Sequence, residues 1–160
     1  MKEGRQPLPK ALNGQREEGF TLVELMVVVL IIAILVAIAM VTFPVARDRA
    51  RDRDAQSNLR NALTAEKTHF ADQQAYTQVR AELAAIEPSL TFDAAADQAP
   101  TAGSVAYAVS GATVTLAIKS ATGTCFYVRD TATSGTTYMK NTDCDRPSAP
   151  TGAFTATGWQ

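Results

Sequence analysis

Histidine, cysteine and tryptophan are scarce in this chain: one His, two Cys and one Trp among 160 residues. With His69 alone there is no second imidazole for a zinc site, and a catalytic role for it is not expected. A G-x-x-x-x-G-K-[ST] phosphate loop, an H-E-x-x-H helix and a G-x-S-x-G elbow are all missing. On these grounds neither an enzyme nor a cofactor is expected. Charges nearly cancel, to a formal −1, which implies no strongly charged partner and no specific nucleic acid. The most informative absence is local. From Leu25 to Ala46 there is no Asp, Glu, Lys or Arg. As a helix that stretch spans roughly 33 Å, enough to cross the hydrocarbon core of a bilayer.

One carboxylate, Glu24, stands at the mouth of the run, in Gly19-Phe20-Thr21-Leu22-Val23-Glu24-Leu25. An ionisable group in such a segment is costly and by default signals function, so Glu24 is expected to have a partner. A Glu that snorkels to the headgroups is the plainer alternative. A secretory signal peptide also has a polar leader before an apolar stretch, but its apolar region has about 7–15 residues and ends in a small-x-small site. This run is longer and closes on Thr42-Phe43-Pro44, while the small residue open to cutting, Gly19, precedes it. Orientation is not legible from flanking charge. Lys2, Arg5, Lys10 and Arg16 on one side balance Arg47, Arg49, Arg51 and Arg53 on the other.

The segment Gly19-Phe20-Thr21-Leu22-Val23-Glu24-Leu25-Met26-Val27-Val28-Val29 closely resembles the N-terminus of type IV prepilins, with Val23 where Ile is common. The resemblance implies cleavage after Gly19 by a membrane-embedded prepilin peptidase, which removes the leader 1–19 and methylates the new amine of Phe20. It also implies that Glu24 meets the Phe20 amine of a neighbouring subunit. The physical case for that pair is independent. Cleavage creates a cation at Phe20 near a carboxylate in an apolar setting, and pairing reduces the desolvation cost of both. Two function classes follow. One is a pilin, a homopolymer built by pilus assembly machinery: single-pass in the cytoplasmic membrane before assembly, then a cell-surface filament for adhesion, motility or DNA uptake. The alternative is a pseudopilin or minor pilin of a type II secretion-like system. A solitary membrane-anchored binding domain would require the motif to be accidental.

Beyond the membrane run, Ala55, Leu59, Ala62, Leu63 and Phe70 recur at helical steps, interrupted by Glu66. One helix from about Leu22 to Gln74 is expected, an assembly half at 20–46 and an amphipathic half at 47–74. Pro44 removes a backbone hydrogen bond, so a kink or local melting is expected there. In the alternating block Arg47–Asp54, Asp48 faces Arg51 and Arg51 faces Asp54; a solvated face and a contact with other subunits are both open.

Residues 75–103 read as a loop region with a short helix near Gln78–Glu87. From Ser104 the periodicity becomes two, in runs around Val105–Val109, Val114–Ile118, Cys125–Arg129 and Thr136–Lys140. The expected fold class is α+β: a long N-terminal helix packed on a small antiparallel sheet over 104–160, the ladle of pilins. Cys125 and Cys144 enclose 18 residues, a loop that a disulfide would stabilise by about 3 kcal/mol. Buried thiols and a two-cysteine metal site are the other readings. The family resemblance favours the disulfide, since pilins carry a disulfide-bounded C-terminal loop. Asp143 and Asp145 flank Cys144, too few acids for a calcium cage, so a polar turn is expected and no metal. Trp159 is expected to pack back on the sheet.

Overall fold

The computed structural model describes residues 19–93 and 97–159. Most of the expected leader 1–19 lies outside the described residues, as do the basic residues proposed to flank the membrane on that side. The chain divides into two compact units, residues 1–41 and 42–160. Helix α1, Leu22–Gln73, begins in the first unit and continues in the second. It remains helical through Pro44, so the proline causes no local melting. A missing amide at one position removes a single bond of the ladder, which the flanking turns of so long a helix can tolerate.

In the first unit the helix is apolar and exposed almost throughout: Leu25, Leu30, Leu35 and Ile38 are each more than half exposed. An 18-residue window of α1 reaches a mean hydropathy of 3.3 with none of it buried. By length and composition this segment can cross a membrane.

In the second unit, α1 is followed by α2 (Arg80–Ile86), β1 (Thr91–Phe92), β2 (Ser104–Ser110), β3 (Thr113–Lys119), β4 (Cys125–Thr131) and β5 (Gly135–Asn141). The sheet order is β1-β2-β3-β4-β5. The four longer strands are successive antiparallel neighbours, and the two-residue β1 adds a parallel edge beside β2. Gly111 (φ 58°) and Gly135 (φ 81°) sit at tight connections where an L side chain would be strained. The fold is α+β and pilin-like.

Alternation in each strand sorts side chains onto two faces. On one face Val105, Tyr107, Val114, Leu116, Ile118, Phe126 and Val128 meet Ala55, Leu59, Ala62, Leu63 and Ala65 of α1. This is the apolar stripe of the helix, covered as expected, with Phe70 packed at its margin. The opposite face is not simply solvated. Ala106, Ala117, Cys125, Tyr127 and Met139 form a second cluster under Cys144 and Phe154, because small alanines on β2 and β3 leave room for the C-terminal segment to lie over them. That segment also pairs Thr155 with Tyr138 on the free edge of β5, with mutual backbone bonds of 2.7 and 2.8 Å.

Candidate functional site

The site is built from the first turn of α1 outward. Thr21 lies just before the helix, and the Oε2 of Glu24 accepts from both its backbone N–H (3.0 Å) and its Oγ1 (2.9 Å). The N–H of Glu24 donates back to Thr21 Oγ1 at 3.2 Å. Thr-x-x-Glu is a capping box, which satisfies donors that the helix terminus cannot. Glu24 thus has a partner inside its own chain, beside the intersubunit one implied by resemblance. The signal for Thr21 was present in the sequence as the spacing Thr21 to Glu24, and reading it only as a membrane motif missed it. The acid also lies in the first turn, where the helix dipole favours a negative charge.

Phe20 is 84% exposed and touches no core. Gly19 is informative in another way: a Cβ built on it would meet no atom within 4 Å, and its backbone is not in the left-handed region. Nothing in the described fold asks for glycine there.

In the charge block, Arg51 pairs with Asp48 at 3.3 Å, as the spacing implies. The expected Arg51–Asp54 contact is not among the ion pairs of the described residues, since one guanidinium is drawn to Asp48. Asp52 points elsewhere, accepting from Ser120 (2.7 Å) and Thr122 (2.6 Å) in the β3–β4 turn. It ties α1 to the sheet, a role that needs residues nearly seventy positions apart and was invisible in sequence.

Beside the same β3–β4 turn lies the disulfide. Cys125 and Cys144 are bonded, with Cα atoms 5.4 Å apart. The bridge joins the start of β4 to the segment after β5. Asp145 accepts from the N–H of Thr151 at 2.9 Å and from its hydroxyl, and these bonds hold its pKa below the usual carboxylate range. The N–H of Asp143 bonds to the side chain of Asn141 (3.2 Å). The Asp145 carboxylate and the Asp143 backbone thus both take part in closing a polar turn. Tyr127 donates to the carbonyl of Asp145 at 2.9 Å, and burial pushes its phenol up to about 12.

Trp159 packs back on the sheet. Its indole donates to the carbonyl of Tyr127 (2.8 Å) and its ring meets Phe126 and Tyr138 edge-on. The guanidinium of Arg60 from α1 lies 5.0 Å from the ring centroid, a cation–π contact. His69 sits at the polar margin of α1, with Nε2 3.2 Å from Glu82 and Nδ1 2.8 Å from the carbonyl of Ala75. It fastens α2 to the end of α1.

Glu66 departs most from expectation. Rather than breaking the apolar stripe, it is fully buried in it. Its Oε2 accepts from the N–H of Thr77 (3.1 Å), and its Oε1 has no partner. Desolvation raises its pKa to about 7, against the lowering effects of the Thr77 bond and of His69.

A long N-terminal helix with an exposed apolar start, followed by a small four-strand antiparallel sheet with a short parallel edge, defines a pilin-like class of protein. Residues 14–40 match the family model of the prokaryotic N-terminal methylation motif, the class III signal peptide of type IV pilins. The match spans Gly19, Phe20 and Glu24 and supports a type IV pilin or pseudopilin-like structural protein. No curated protein matches the chain.

Proposed function

We propose that this chain is a structural pilin, cleaved after Gly19, methylated on Phe20 and polymerised through residues 20–46 into a surface filament. The observation that carries this reading is the methylation motif placed at the entry to an apolar helix that its own chain leaves uncovered. In the membrane, lipid covers that helix; in a filament, the same surface is covered by neighbouring helices. Glu24 then exchanges part of its bonding to Thr21 for the Phe20 amine of a neighbour, which fixes the axial register of the stack. Pro44 supplies a bend where the helix leaves the bundle, and the sheet with its disulfide-bounded loop faces outward. The bonding of the Asp145 carboxylate to Thr151 favours a pilin over a calcium-stabilised pseudopilin.

The test is intact-mass and N-terminal analysis of material sheared from the cell surface, beside the membrane fraction. A chain starting at N-methylated Phe20 and abundant in the sheared fraction supports the proposal. The processed chain confined to membranes points to a pseudopilin or rare minor pilin, and a chain still carrying Met1 everywhere overturns the reading. Glu24→Ala is expected to be cleaved normally and to yield no filaments; normal filaments from that variant would remove Glu24 from assembly.

A further inference from the structure

A groove of about 490 Å³ crosses the face of the sheet turned away from α1, within the range that holds small molecules, ~300–1,000 Å³. Ala108, Ser110, Thr113, Thr115, Thr131 and Ser148 line it. Arg129 on β4 is the cation there. Its guanidinium lies 3.9 Å from the centroid of the Phe154 ring, and its Nε donates to Thr115 Oγ1 at 3.3 Å. Those two contacts fix the plane of the fork and leave its terminal N–H groups without a carboxylate: no ion pair of the described residues includes Arg129. Partial burial lowers its pKa. Asp97, bordering the groove, already accepts from the N–H (2.9 Å) and the hydroxyl (2.6 Å) of Ser148.

An oriented guanidinium without an anion is suited to a planar, two-oxygen acceptor, which it binds through parallel N–H donors. The rest of the lining selects among such acceptors. Hydroxyls both donate and accept, and Thr113 and Thr131, 3.0 Å apart, each keep capacity after bonding one another. A dianion such as phosphate asks for several cations or a cradle of backbone amides, whereas this groove offers one cation amid two-way hydroxyls. That combination matches a ligand with one carboxylate and several hydroxyls. We propose that the groove binds a sugar acid, its carboxylate on Arg129 and its ring hydroxyls against Ser110, Thr113 and Thr131. The site lies on the face of the sheet opposite α1.

Calorimetric titration of the full chain, in a detergent whose headgroup is not a sugar, tests this with galacturonate, galactose and inorganic phosphate. Galacturonate is expected to bind saturably, and galactose at least about tenfold more weakly, the loss of one charge-assisted pair. Arg129→Gln should weaken galacturonate binding about tenfold, while Arg129→Lys, which keeps charge without the fork, falls between. If Arg129→Gln fails to fold, the galacturonate–galactose contrast on the unmodified chain still decides. Absence of saturable galacturonate binding, equal affinity for galactose, or unchanged affinity in a folded Arg129→Gln would each overturn the proposal. Arg129-dependent binding of phosphate in place of galacturonate would overturn the sugar-acid assignment.

Discussion

Two buried carboxylates on the helix-facing side respond to pH in opposite ways. Glu66 has its pKa raised to about 7, chiefly by desolvation, so between the unfolded carboxylate range and about 7 the folded chain holds a proton that the unfolded chain has lost. Stability therefore falls as pH rises across that window and levels off above it, by up to about 3 kcal/mol. Glu66→Gln should flatten this slope in urea melts taken from pH 5 to pH 8; an unchanged slope would assign it to another group. Asp130 is the converse. Burial alone would raise its pKa, but bonds from Thr136, Tyr76 and Lys67 outweigh that and lower it. Its contribution is present at neutral pH and is lost as pH falls through the lowered value. Tyr76 donates to it at 2.6 Å and Lys67 lies 3.1 Å away, and Tyr76→Phe should destabilise the fold by about 1.5 kcal/mol, read from the same melts. Neither acid was legible as a buried group. A charged residue at a core step reads as an interruption until the partner loop, here Thr77, is known.

At the level of elements, α1, α2 and β2–β5 were legible because each carries a strong local signal. Periods of 3.6 and 2 marked the helix and strands, and Gly111 and Gly135 marked the turns. The parallel edge β1 was not: two residues, Thr91 and Phe92, hold no periodicity, and only their pairing with Ser104 and Val105 makes them a strand. The second core cluster was equally hidden, since alanines at Ala106 and Ala117 read as an outer face until a C-terminal segment lies over them. The disulfide links that segment to β4. Cys125→Ser/Cys144→Ser should destabilise the second unit by about 3 kcal/mol and lower its thermal midpoint by ~10 °C or more. Thermal melts with and without reductant would check this, and a midpoint insensitive to reduction would show that the Tyr127 and Thr155 contacts alone hold the segment.

At the level of the whole molecule, the two units differ in the surfaces they expose. Residues 22–41 expose an apolar surface far larger than a water-soluble chain carries, and 42–160 bury a conventional core. A chain beginning at Arg47 should therefore be soluble without detergent and keep its disulfide, as size-exclusion chromatography and thiol alkylation would show. Aggregation of that fragment would mean that the apolar half contributes to folding as well as to membrane insertion and assembly.

What the sequence determined by itself is the N-terminal motif: Gly19, Phe20 and Glu24 ahead of an uncharged run are local features, and they match the methylation motif without any help from the fold. The α+β class followed from local periodicity for the same reason. Tertiary structure alone decided the contacts between distant positions: Asp52 with Ser120, Glu66 with Thr77, Tyr76 with Asp130, and Arg129 on Phe154 above a row of hydroxyls. Such pairs join groups whose separation in the chain carries no pattern, and they become neighbours only when the helix stripe and the two faces of the sheet have been buried.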